Sequence, residues 1–224
     1  MSVIGTVASL WRYPVKSMRG EELQEAFIGF SGVYGDRLYA FTSSNARKNF
    51  PYLTAREREE MLLCRPRFRY PERAAKPPNL AEAEAVAPGN TPLHAGAADL
   101  VVDVEMPSGQ VIAIDDPALI GELVKEFGDG RSVALLRSER ALTDSRPVSL
   151  FSMQTVRQIG DEIGAVLDKR RFRANVYVDL GAGEGFAEEE FLGRSLRIGD
   201  KTVIAMVERD PRCKMITIDP DTAA

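Results

Sequence analysis

Along the first third of the chain, short apolar runs alternate with polar residues and are broken by glycine, a pattern that predicts strands. Val3 to Val15 is an apolar, β-branched run. Leu23 to Phe30 and Leu38 to Thr42 follow at hairpin-like spacing, with Gly20, Gly32 and Gly35 as turn residues. Met61-Leu62-Leu63-Cys64 reads as a short buried strand. Residues 66–98 are rich in Pro, Ala and Glu without a clean period, so a long loop or partly disordered insertion is expected there. Leu100 to Met106 and Val111 to Ile114 flank Pro107-Ser108-Gly109 and predict a hairpin. Past residue 115 the period changes. Asp116-Pro117 opens a helix with Leu119, Ile120, Leu123, Val124 and Phe127 at helical spacing. Ser132 to Leu136 reads as a strand. Ser152 caps a longer helix whose Val156, Ile159, Ile163, Val166 and Leu167 form one stripe. Strands are expected again at Ala174 to Leu180, Leu196 to Ile198, Thr202 to Val207 and Met215 to Ile218. The fold class is therefore mostly β with some helix (α+β), as a β-rich unit over 1–115 and a mixed, mostly β unit over 116–224.

Composition narrows the chemistry. At 224 residues with 44% hydrophobic and 28% charged positions and a net charge of -4, the chain has the make-up of a globular protein. A mildly acidic total argues against bulk nucleic-acid binding. No apolar run approaches the ~20 residues that span a bilayer, and the apolar start reads as a strand, not a signal peptide. Two cysteines make no disulfide framework, which points to a cytoplasmic location. His94 is the sole histidine, so a His-rich zinc site is excluded, and Cys64 and Cys213 cannot supply the four thiolates of an iron–sulfur cluster. Val178 to Phe186 resembles the glycine-rich first motif of S-adenosylmethionine-dependent methyltransferases. Strands and a Gly199-Asp200 turn follow it, however, so a doubly wound sheet has no room and a plain turn is expected.

The two cysteines differ in their neighbours. Cys64 ends an apolar run, whereas Cys213 lies between Arg212 and Lys214, with Pro211 and Arg209 just before it. Nearby cations favour the thiolate, the form that binds metals. Other basic positions sit at strand ends: Lys16-Ser17, Gly35-Asp36-Arg37, Thr54-Ala55-Arg56 and Arg171-Phe172-Arg173-Ala174-Asn175. With the thiol they suit a large anionic, phosphate-bearing cofactor whose metal takes one soft protein ligand. The run Lys169-Arg170-Arg171 with Arg173 leaves a nucleic-acid-binding module as a weaker alternative.

These segments carry a family resemblance. Tyr-Pro-Val-Lys-Ser at 13–17, Gly-Asp-Arg at 35–37, Thr-Ala-Arg at 54–56, Phe-Arg-Ala-Asn at 172–175, and Arg-Cys at 212–213 before Asp-Pro-Asp-Thr at 219–222 are in the family's order. The chain resembles the MOSC-domain proteins that include the mitochondrial amidoxime-reducing component and its bacterial relatives. The resemblance implies an N-terminal β-barrel-like domain followed by a MOSC β-barrel domain. It implies a molybdenum cofactor (molybdopterin) with Cys213 as metal ligand, held by Lys16, Ser17, Arg37, Arg173 and Asn175. Arg56 belongs to a matching segment and is expected to join them. Ser145 and Arg146 fall, on a looser match, where the family has further cofactor contacts. The implied activity is two-electron oxygen-atom transfer that reduces an N-hydroxylated small molecule. Asp144 is a candidate proton donor by position, and the electrons come from a separate reductase. The alternative is a carrier that holds sulfur or cofactor on Cys213 without turnover. The family usually continues for several tens of residues beyond Asp-Pro-Asp-Thr. Residues 203–207 and 215–218 are therefore expected to lack closing strands and to leave a sheet edge open to association or local disorder.

Overall fold

In the computed structural model, residues 3–87, 89–125 and 127–224 are described. In chain order they form β1 (Thr6–Arg12), β2 (Glu21–Leu23), β3 (Ile28–Gly29), β4 (Gly32–Val33), β5 (Tyr39–Arg47), β6 (Phe50–Leu53), β7 (Arg65–Phe68) and helix α1 (Leu80–Glu84). There follow β8 (Val102–Glu105), β9 (Val111–Ala113), α2 (Pro117–Val124), β10 (Val133–Arg137), β11 (Leu150–Ser152) and α3 (Met153–Ile163). The last elements are β12 (Val176–Asp179), β13 (Ser195–Ile198) and β14 (Thr202–Ala205). The fold is mixed and β-rich, and among the described residues every sheet is open: β11-β12-β1-β2, β10-β5-β6, β7-β8-β9, and the pairs β3-β4 and β13-β14.

The strand order interleaves the two ends of the chain. β1 runs antiparallel to β12, with Leu10 opposite Val176 and Thr6 opposite Asp179, and on its other side it pairs with β2. β10 runs antiparallel to β5, with Leu135 opposite Phe41. The cores follow the same weave. Trp11 and Tyr13 pack with Phe151, Val156, Phe172 and Tyr177, while Leu119 and Leu123 of α2 join the larger core around Phe41, Leu53, Met61 and Val102. Strand pairing carries long-range hydrogen bonds that no side-chain contact replaces, so within each core early and late segments of the chain are stitched together by backbone.

Both longer helices start where capping chemistry puts them. The Asp116 carboxylate accepts from the Ala118 amide with Pro117 in the first turn, and the Ser152 hydroxyl accepts from the Thr155 amide. Gly164, with φ +68°, closes α3 in the left-handed region. The stripe of α3 is shorter than its spacing predicts: Val156 is buried, but Ile163 and Val166 are exposed, because the helix ends before its next turn meets the core.

Three expectations are overturned. Met61 to Cys64 is not a strand; Glu59–Leu63 forms a 3₁₀ turn that buries Met61, Leu62 and Cys64. Met215 to Ile218 is likewise turn, with Lys214–Thr217 as a 3₁₀ segment whose Ile218 enters the larger core. A four-residue apolar run fits either geometry, so periodicity could not separate them. The stretch 66–98 is more ordered than its composition suggests. Part of β7 and α1 lie within it, and Asn79 bridges it by donating to the Leu93 carbonyl at 3.0 Å and accepting from the Ala95 amide at 2.7 Å. Pro88 lies outside the described residues.

Gly32 fixes one wall of the site. Its φ is +108°, and a Cβ there would stand 2.5 Å from the Pro147 carbonyl oxygen. Gly32→Ala is therefore expected to cost at least about 1 kcal/mol and to displace the 145–147 segment. Chemical denaturation, with hydrogen exchange across 143–149, checks this; unchanged stability and exchange would show that the close approach does not constrain the loop.

Candidate functional site

A cavity of about 1280 Å³ opens between the 26–30 segment, Thr54 and Arg56 just past β6, the 143–151 segment, and β14 with the loop that follows it. Lys16, Ser17, Arg37, Arg56, Asp144, Ser145, Arg146, Arg173 and Cys213 all line it, from segments up to nearly two hundred positions apart. Asn175 does not. It is buried at the joint of two strands, accepting from the Ser149 amide and donating to the Trp11 carbonyl, both at 3.2 Å. Its place is to hold β1 and the start of β11 in register.

The cationic wall begins where β1 ends. The Lys16 amide donates to the Tyr39 carbonyl at 2.8 Å, which fixes the backbone, and the side chain lies buried above the Tyr52 ring at 4.7 Å. Lys16 Nζ donates to the Leu142 carbonyl at 2.8 Å and pairs with Asp144. Burial pulls the ammonium below its ordinary pKa, and the adjoining Asp144 carboxylate opposes that pull.

Arg37 and Arg173 sandwich Tyr13, with their guanidinium carbons 4.3 and 4.4 Å from the ring centroid. Arg37 donates to Asp36 at 2.6 Å and to the Arg173 carbonyl at 2.8 Å, while Asp36 also accepts from the Tyr13 amide at 2.8 Å. Burial alone would lower the Arg37 pKa; the touching Asp36 carboxylate reverses this and raises it. Arg173 has no such partner. Its side chain forms no ion pair or hydrogen bond among the described residues, and burial, reinforced by the charge of Arg37 and opposed by Tyr13, lowers its pKa to about 10. It thus remains a cation at neutral pH. Arg56 is also free of carboxylates among the described residues, stacking on Phe50 at 4.5 Å with Nε 3.4 Å from the Thr54 hydroxyl.

The backbone is strained at the same place. Five described non-glycine residues have positive φ, and Ser17 (65°), Arg37 (43°), Arg173 (53°) and Phe186 (65°) among them line this cavity. Each left-handed non-glycine residue costs about 1–2 kcal/mol, and such strain collects where a side chain or amide must be aimed at something.

The remaining wall holds the thiol. Cys213 is half-buried on extended backbone, and its carbonyl accepts from the Ile216 amide at 3.2 Å at the start of the 3₁₀ turn. Arg171 ties that turn down, donating to the Thr217 carbonyl and to Asp219, both at 2.8 Å. Cys64 lies elsewhere, buried against the Glu60 carbonyl and Met106 sulfur, and burial pushes its thiol up to about 11. Iodoacetamide at pH 8 is therefore expected to modify Cys213 in the folded protein and Cys64 only after unfolding. Peptide mapping by mass spectrometry checks this; equal labelling of both would remove the contrast.

Glu208 and His94 were not singled out as site residues from sequence. Glu208 binds the Ser145 hydroxyl and pairs with Arg146 at 3.0 Å, so these two positions face a carboxylate of the chain itself. A lone glutamate before an arginine gives no signal in sequence. His94 lines the cavity edge-on to Phe27 at 4.9 Å, and its buried Nδ1 has no partner among the described residues. The basic run 169–171 is not a free nucleic-acid patch: Arg170 pairs with Asp168 and Asp221, and Arg171 with Asp219.

The half-buried Arg173 guanidinium, which has no acid partner among the described residues, the Lys16 ammonium, donor loops with left-handed backbone and the Cys213 thiol meet on one cavity, a donor set that could take a large anion together with a soft ligand. A family model of the MOSC N-terminal beta barrel domain matches residues 4–110, and one of the MOSC domain matches residues 137–224. The chain belongs to the MOSC-domain proteins, a family of molybdenum-cofactor-binding domains associated with sulfurases and oxidoreductases. Comparison with curated proteins finds no match. Among the described residues no helix is long and apolar enough to cross a membrane.

Proposed function

We propose that this chain binds the molybdenum cofactor in the large cavity, with the Cys213 thiolate as its protein ligand. We further propose that it reduces N-hydroxylated small molecules with electrons from a separate reductase. The observation that carries the reading is Arg173, which has no acid partner among the described residues, on the wall of a cavity that Arg56, Lys16 and Cys213 also line. A half-buried guanidinium with no acid partner is completed by an anion at little desolvation cost, and a single thiolate suits a metal that arrives already chelated. Bound there, the cofactor would supply two-electron oxygen-atom transfer, and the protein supplies position and charge.

The chain's own residues divide that work. Arg173, Arg56 and Lys16 balance the phosphate and pterin charge, and Arg37, locked to Asp36, keeps Arg173 in place through its bond to the Arg173 carbonyl. An anion on Lys16 would release Asp144, leaving a carboxyl in the cavity able to carry a proton to the substrate. The apolar residues Phe27, Leu192, Ile204 and Met206 line the same cavity and would exclude water around the substrate body.

Purified protein from a molybdenum-replete host is expected to hold close to one molybdenum per chain and to release the fluorescent oxidised pterin. It should also reduce an N-hydroxyamidine when given an artificial electron donor. Metal-free protein carrying a persulfide on Cys213 would replace this reading by a sulfur carrier.

A further inference from the structure

Residues 207–213 connect β14 to the 3₁₀ turn at 214–217, and every one of them lines the large cavity. Residues 207–212 are also exposed, so the segment is one chain thick, with the cavity on one side and solvent on the other. Its backbone is anchored only at its ends. At one end the Met206 amide donates to the Arg194 carbonyl at 2.9 Å and the Met206 carbonyl accepts from the Gly193 amide at 2.7 Å. At the other, the Cys213 carbonyl accepts from the Ile216 amide at 3.2 Å. Between these points no backbone group of 207–212 bonds to another part of the chain among the described residues.

Side chains make the remaining ties. Glu208 takes the Ser145 hydroxyl and grips the Arg146 guanidinium with both carboxylate oxygens, at 3.0 and 3.2 Å. Arg209 pairs with Glu189 at 2.8 Å, and Arg212 lies 5.4 Å above the Phe151 ring. All three residues are exposed, and exposed ion pairs hold weakly. A segment tied in this way opens locally at far lower cost than a strand in a sheet.

We propose that residues 207–212 are a strap closing one side of the large cavity, and that Glu208 is its latch. The latched carboxylate fastens the strap to the 143–151 segment and at the same time occupies Ser145 and Arg146, two donors on the cavity wall. An anion that takes those donors displaces Glu208, so its entry and the opening of the strap are one event. Cys213 stands at the strap's far end, and opening therefore uncovers the thiol. The latch stands on the geometry of the chain alone, whichever anion the cavity takes.

The test uses the purified chain with no ligand added. One readout is the rate at which trypsin cuts after Arg212, which follows the population of the open strap; the other is the rate at which iodoacetamide, a neutral reagent, alkylates Cys213. Glu208→Gln and Arg146→Gln break the same latch with opposite changes of charge. Each is expected to raise both rates by about two- to fivefold, the measure of one exposed ion pair, and the double variant is expected to go no further than the larger single. Ser145→Ala, which removes only the hydroxyl tie, should give a smaller rise in the same direction. Cys64 should stay unlabelled in every variant, which separates an open strap from a loosened fold. Charge acting on the thiol alone would instead speed alkylation in Glu208→Gln, slow it in Arg146→Gln, and leave cleavage after Arg212 unchanged in both. That result, or additive effects in the double variant, would overturn the latch.

Discussion

Replacing Arg173 by Met is expected to move cofactor affinity and stability in opposite directions. Arg173 is held in the wall without a carboxylate, stacked on Tyr13 beside the like charge of Arg37, and burial already lowers its pKa to about 10. A methionine of similar length keeps the packing and removes an uncompensated charge, so the empty protein should be as stable as the parent or more so. The same change deletes a charge-assisted bond to the bound anion, worth roughly 1.5–3 kcal/mol, and should weaken pterin retention about ten- to a hundredfold. Arg37→Met should behave differently. It strands Asp36, whose side chain is fully buried, at a cost of about 3–5 kcal/mol, so stability and retention fall together. Thermal unfolding of the pterin-free variants, set beside pterin content at limiting supply, separates the cases. If Arg173→Met destabilises as Arg37→Met does, Arg173 is a structural cation rather than a waiting ligand.

Cys213→Ser should abolish molybdenum retention while leaving the fold intact, whereas Cys64→Ser should do the reverse. Cys213 is half-buried on the wall of the large cavity, and its side chain makes no hydrogen bond among the described residues. Exchange of sulfur for oxygen there costs the protein little but removes the soft ligand. Cys64 is packed in the larger core against the Met106 sulfur, and a hydroxyl in its place would be buried without a good partner, at about 1–3 kcal/mol. Molybdenum analysis and denaturation of both variants decide it. Equal metal loss in the two would deprive Cys213 of its role.

Much of this site was legible because its chemistry is written in residue types that charge and spacing expose. Lys16, Arg37, Arg56, Arg173 and Cys213 stand at strand ends or loop starts, and the fold gathers them around one cavity. Asn175 shares a segment with Arg173 yet faces the strand joint: two positions apart they would share a face in a strand, but Arg173 lies before the strand, in left-handed backbone at the end of a 3₁₀ turn. The left-handed backbone at Ser17, Arg37 and Arg173 had no signal at all: none is glycine, and strain at such residues is imposed by tertiary packing. The caps at Asp116 and Ser152 were readable because capping is local. The four-residue runs at 61–64 and 215–218 were misread because neither is long enough to display a period. The openness of the sheets depends on which strands pair at long range, and no local pattern encodes that.

The pairing of β1 with β12 sets an order of events during synthesis. A ribosome delivers Thr6–Arg12 well before the partner strand Val176–Asp179 emerges. Until then the backbone leading to Lys16 and Ser17 lacks its main support, and Arg173 and Cys213 are missing or still in the exit tunnel. A nascent chain stalled before residue 170 should thus have its cores in part and lack the Arg173 and Cys213 walls of the large cavity. On the reading proposed above, the cofactor would enter only after Arg173 and Cys213 have emerged, into a protein that has already closed Thr6–Arg12 against Val176–Asp179.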